Sequence, residues 1–82
     1  MRNRVRVGDV INNLWASDKN PLRTSIVNNI DKDFVYCIYL HKNKICKAKY
    51  SRYEVNKDAE HFVIKGHINL YELLENELNK FI

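Results

Sequence analysis

Residues 34–50 read FVYCIYLHKNKICKAKY, and how they pair decides the fold. β-Branched and aromatic residues crowd both arms around a polar HKNK, the composition of a β-hairpin. A turn centred on Lys42-Asn43 sets Tyr39 opposite Cys46, Cys37 opposite Ala48 and Val35 opposite Tyr50. One face then collects Val35, Cys37, Tyr39, Cys46, Ala48 and Tyr50, apolar throughout and fit for a core. The other face holds Tyr36, Ile38, Leu40, Ile45, Lys47 and Lys49. A slip of one residue would carry lysines into the core face, so the pattern itself selects the register. The second face is apolar enough that a C-terminal helix, another sheet or a partner is expected to cover part of it.

Working outward, residues 4–15 read as a strand kinked where Gly8-Asp9 breaks the alternation of Val5 and Val7. A polar loop follows, ASDKNPLR (16–23), and TSIVNNI (24–30) is a second strand closed by the turn Asp31-Lys32-Asp33. Beyond the hairpin, SRYEVNKDAE (51–60) reads as a polar loop, and HFVIK (61–65) as a short strand ended by Gly66. The tail NLYELLENELNKFI (69–82) predicts an amphipathic helix. Asn69 can cap it, Glu72 completes a capping box, and Ile68 can staple to Leu73. Leu70, Leu74, Leu78 and Phe81 form its apolar stripe.

Eighty-two residues make one domain, 1–82, with a β-barrel over about 4–65 and the helix over about 69–82. The fold class expected is mainly β (α+β): a small SH3-like β-barrel carrying one C-terminal amphipathic helix. A chain this short buries roughly 60–65% of its unfolded surface, which leaves a thin stability margin. No apolar run approaches the roughly 18 residues of a membrane span. The basic N-terminus lacks a signal-peptide core, so a cytoplasmic protein without a membrane partner is expected. The charge is split: residues 1–52 carry eleven Lys/Arg against four Asp/Glu, and residues 53–82 carry three against six. Such a split suits a nucleic-acid face, an acidic protein partner or simple solubility.

Cys37, Cys46, His61 and His67 invite a zinc reading, but structural zinc sites pair ligands at short spacing on a knuckle. Here the cysteines stand nine apart on opposing strands and both face inward, so buried thiols and no metal are expected. No nucleophile elbow, phosphate loop or dinucleotide fingerprint is present, and two glycines cannot build a phosphate cradle. No cofactor is implied. The positive signal is the cluster Lys42, Lys44, Lys47, Lys49 and Arg52, with Tyr36, Tyr50 and Tyr53 interleaved. Arg4 and Arg6 (with Arg2) add a second row if the first strand lies nearby. Lysine and arginine neutralise phosphates, and tyrosines offer stacking surfaces to unpaired bases. Lysines that merely protect a sheet edge from pairing are the plainer alternative.

Residues 5–40 resemble the front half of the SH3-like barrels, in which G-D-[IV] follows the first strand, here Gly8-Asp9-Val10. More specifically the chain is similar to the PemK/MazF-type toxins, small dimeric ribonucleases. Their R-P-x-x-V step into a strand corresponds to Arg23-Thr24-Ser25-Ile26-Val27, and IKGHINLYELLENELNKF matches their closing strand, glycine and helix. The resemblance implies that Arg23 stands where the family's catalytic arginine stabilises charge on the scissile phosphate. Thr24 replaces the family's proline. The second catalytic Ser or Thr would fall near residues 39–41, where the chain offers only His41 as an acid or base.

These readings favour a non-catalytic binding protein over an enzyme, of the inhibitor or accessory kind that phages and mobile elements encode to engage a host macromolecule. The partner is nucleic acid or a protein that handles it, met on the hairpin's basic face. The alternatives are a toxin-like endoribonuclease using Arg23 and His41, and a homodimeric assembly protein joined through Tyr36, Ile38, Leu40 and Ile45.

Overall fold

The hairpin sits in the computed structural model, which describes residues 3–69, in the register its sequence selects. Strands β3 (Phe34–His41) and β4 (Lys44–Ser51) pair Val35 with Tyr50, Cys37 with Ala48 and Tyr39 with Cys46. Lys42 and Asn43 turn the chain with φ of 52° and 62°, the left-handed pair of a type I′ turn. Burial fades toward the tip. Val35 and Cys37 are buried, whereas Tyr39, Cys46, Ala48 and Tyr50 are only partly covered. The reason is that β2 (Thr24–Ile30) accompanies β3 no further than the Ile26–Ile38 pair.

All five strands form one antiparallel sheet in the order β4-β3-β2-β1-β5, with β1 spanning Asp9–Asn13 and β5 Phe62–His67. The expected strand over 4–15 is therefore shortened at both ends. Before Asp9 the chain makes a turn in which the Asp9 N–H donates to the Arg6 carbonyl at 3.0 Å, and Gly8 takes φ of 97°. That is the third position of a type II turn, which glycine alone adopts at no steric cost. The Asp9 carboxylate closes the turn from the other side by accepting the Arg6 N–H at 2.8 Å.

Residues 51–60, read as a loop, instead hold a helix, α1 (Arg52–Lys57). Ser51 caps it, its hydroxyl accepting the Glu54 N–H at 3.3 Å, and Val55 is its one buried residue. Asn3 ties the N-terminus beneath this helix: its amide donates to the carbonyls of Val55 at 3.0 Å and Phe62 at 2.6 Å. β5 does not stop at Gly66, which lies opposite Val10 beyond a register shift on β1. The polar loop after β1 contains a 3₁₀ turn, Pro21–Arg23, capped by the Asn20 side chain.

Val5, Ile11, Val27, Val35, Cys37, Val55 and Phe62 make the core, flanked by Ile30 and Tyr50. It lies on one face of the sheet and is closed by the N-terminal segment and α1. The amphipathic helix expected over 69–82 lies, apart from Asn69, outside the described residues. Among those described, no helix is long and apolar enough to cross a membrane.

Candidate nucleic-acid interface

Strand alternation places the hairpin's second face away from this core. Pairing sets Tyr36 opposite Lys49, Ile38 opposite Lys47 and Leu40 opposite Ile45. Phe34 joins them two residues before Tyr36, and its ring lies 4.4 Å beneath the Lys49 ammonium. The Tyr36 ring sits 6.2 Å from that of Phe34. Beside them β2 bulges between Val27 and Asn29, and Asn28, Asn29, Tyr36 and Lys47 line a shallow groove of about 220 Å³. Amides, an aromatic ring and an ammonium group thus share one surface.

The turn before β3 fixes this surface. Asp31 accepts the backbone N–H groups of Asp33 at 2.8 Å and Phe34 at 2.7 Å, and the Tyr36 hydroxyl at 2.6 Å. The Tyr36 bond and then the backbone bonds hold the Asp31 carboxyl below the usual carboxylate value. The same bond to a carboxylate pushes the Tyr36 phenol up. Arg52, the first residue of α1, donates to the Asp31 carbonyl at 3.1 Å and so lies against this turn.

The other sequence-predicted residues divide. Lys42 and Lys44 stand at the hairpin tip beside Leu40 and Ile45, which are 67% and 70% exposed. Arg4 and Arg6 do not extend the lysine row. Their neighbours Asn3 and Val5 are bonded to α1, and Arg6 lies 3.8 Å from Asp9, whose carboxylate also meets His67 Nδ1 at 2.8 Å. Arg23 donates to the Ala16 carbonyl at 2.8 Å and pairs with Asp18 at 3.3 Å, so its guanidinium pins the β1–β2 loop. His41 ends β3 opposite Lys44, exposed.

One cluster has no counterpart in the sequence reading. Trp15 stacks on His61 with centroids 3.9 Å apart and planes at 21°, and its indole N–H donates to Asp58 at 3.1 Å. His61 Nδ1 meets the same carboxylate at 2.9 Å. Only the chain's single tryptophan, at the end of the strand expected over 4–15, could have flagged it. Cys37 is buried, and burial pushes its thiol up against a smaller opposing effect of Ser25. Among the described residues no three His, Cys, Asp or Glu side chains converge as metal ligands would. Among the described residues the hydrogen-bonded histidine rings, His61 and His67, meet the carboxylates of Asp58 and Asp9.

No protein-family model matches the chain, and comparison with curated proteins and with solved structures finds no match.

Proposed function

We propose that this chain is a non-catalytic binding protein that holds single-stranded nucleic acid on the outer face of β3 and β4. The observation that carries this reading is the register that sets Lys49 beside Tyr36 and Lys47 beside Ile38, next to the amide-lined bulge of β2. Ammonium groups two residues apart on a strand recur at about 7 Å and follow a backbone of phosphates, while Tyr36 and Phe34 offer faces to unstacked bases. The bonds of Arg23 to Ala16 and Asp18 support a structural role for that residue over a ribonuclease role.

We read the sheet as a small SH3-like barrel opened along one side. In support, β1 stands between β2 and β5, β2 to β4 follow as a meander, and a short helix joins β4 to β5. Such a fold brings no activity with it.

The test is fluorescence anisotropy with a labelled twelve-nucleotide oligo(dT) or oligo(U) over a salt series. Affinity should fall steeply with salt, and replacing both Lys47 and Lys49 by alanine should weaken binding and flatten the salt slope by roughly 1–2. Salt-independent affinity, or no binding at low salt, ends this reading and leaves a host protein as the partner. A second reading, homodimerisation, is favoured by the exposed Leu40–Ile45 pair at the tip. It predicts dimers in sedimentation equilibrium that Ile45→Lys dissociates.

A further inference from the structure

Trp15 is 67% exposed, yet it is held at three points. Its backbone N–H donates to Asn13 Oδ1 at 3.0 Å, its indole N–H to Asp58 at 3.1 Å, and one ring face stacks on His61 at 3.9 Å. With one face covered and two-thirds of the residue in water, the opposite face of the indole is open. Trp15 also borders a cleft of about 470 Å³ whose other walls are Glu54, Lys57, Asp58 and Phe62. A large aromatic surface whose rotamer is already fixed loses little entropy when a partner covers it, which is the property of an interaction anchor.

The charge around the cleft selects the partner. Two of its walls are carboxylates, Glu54 and Asp58. The bond to His61 and, more weakly, that to Trp15 hold the Asp58 carboxyl below its usual range, so it is anionic at neutral pH. Among the described residues that line the cleft, the one Lys or Arg is Lys57, whose ammonium lies 5.4 Å over the Tyr53 ring. A phosphate brought to Trp15 would meet two negative charges, whereas a cation would gain both the indole quadrupole and a counter-charge. Arginine suits this best, since its planar guanidinium stacks on an aromatic face and forks onto a carboxylate.

We infer that the Trp15 cleft is a receptor for an arginine side chain presented by a partner protein, with the guanidinium over the open indole face and Glu54 as its counter-charge. This site is separate from the hairpin face and prefers ligands of opposite sign, so it stands whether or not the hairpin binds nucleic acid.

The experiment is an NMR titration of the ¹⁵N-labelled full chain with N-acetyl-arginine amide, reading the single indole N–H resonance, with the neutral isostere N-acetyl-citrulline amide in parallel. The arginine compound should give a saturable, salt-weakened shift with a dissociation constant on the order of millimolar to tens of millimolar, and citrulline should bind at least about fivefold more weakly. Glu54→Gln should weaken the arginine compound roughly three- to tenfold while the rest of the spectrum is preserved. Trp15→Leu, followed through the His61 ring, should abolish saturation. Equal response to citrulline, an unchanged constant in Glu54→Gln, or a stronger shift with a short oligo(dT) than with the arginine compound would each overturn the assignment.

Discussion

The rings of Tyr50 and Phe62 meet edge-on, 5.4 Å apart with their planes at 62°, and they come from the two outer strands of the sheet. Among the described residues β4 pairs only with β3 and β5 only with β1, so this contact draws together the two sides of an open sheet. Phe62→Ala should therefore lower the unfolding free energy by about 3 kcal/mol or more, a large share of the stability of so small a domain. Tyr50→Phe tests the same contact with the ring kept. The Tyr50 hydroxyl is buried without a well-formed hydrogen bond, and burial, partly offset by Asn13, pushes its phenol up. Its removal should be neutral or stabilising by less than about 1 kcal/mol. Urea unfolding followed through Trp15 fluorescence compares the two, and similar losses in both would contradict the orphan hydroxyl.

Gly8 and Gly66 should respond in opposite ways to alanine. Gly8 holds φ of 97°, and a Cβ there would collide with the Ile68 carbonyl oxygen. Its own N–H and carbonyl are bonded to Val27 at 2.7 Å and Ile68 at 2.8 Å, so the backbone has no room to relax. Gly8→Ala should cost about 1–3 kcal/mol and lower Tm by several degrees. A Cβ on Gly66 meets nothing within 4 Å, and Gly66→Ala should leave Tm within about 3 °C of the parent. Thermal melts monitored by circular dichroism decide this, and a Gly8→Ala protein that melts like the parent would refute the turn.

These two sites mark what the chain discloses locally and what it withholds. The hairpin register was readable because lysines occupy alternate positions on one arm, so only one pairing keeps them out of the core. The Gly8-Asp9 break was readable too, but the strand assigned before it was not, because Val5 and Val7 alternate as strand residues do. Asn3 and Val5 are bonded to α1, more than fifty positions away, and no local pattern reports that. α1 itself has a single buried residue, too few to show helical periodicity, although Ser51 and Glu54 carry the spacing of a capping box. The Trp15–His61 stack joins residues 46 apart in sequence and was invisible for the same reason.

Acid should expose the two carboxylates that fix the candidate surfaces. Asp31 is depressed chiefly by the Tyr36 hydroxyl and Asp58 chiefly by His61, each from an ordinary value of 3.8. A depressed folded pKa adds stability above the unfolded value, and this is lost as pH falls from 3.8 through the folded value. Stability should thus be insensitive to these two groups at neutral pH and decline below about pH 4. Tyr36 has the opposite sign: its raised pKa contributes below the unfolded value of 10.0, and the contribution is lost as pH climbs through the folded one. Carboxyl ¹³C titration reads the carboxylates directly. In Tyr36→Phe the Asp31 midpoint should move up toward 3.8 while that of Asp58 stays, and an unmoved Asp31 would mean that the backbone bonds suffice.

The hairpin turn separates stability from charge at the proposed nucleic-acid face. Lys42 and Asn43 hold φ of 52° and 62°, and a lysine there lacks the local hydrogen bonding that lets asparagine tolerate this region. Asn43→Gly should stabilise the hairpin by about 0.5–1 kcal/mol without altering any charge, so oligonucleotide affinity and its salt slope should stay as they are. Lys42→Asn should add a similar gain from the turn but remove one tip ammonium. If Lys42 contacts phosphate, the salt slope falls by roughly 1 while Lys47 and Lys49 keep the remainder. A Lys42→Asn protein that is more stable and binds with an unchanged slope would confine the interface to the Tyr36–Lys49 part of the face. One that loses stability would show that the turn is not of the I′ type.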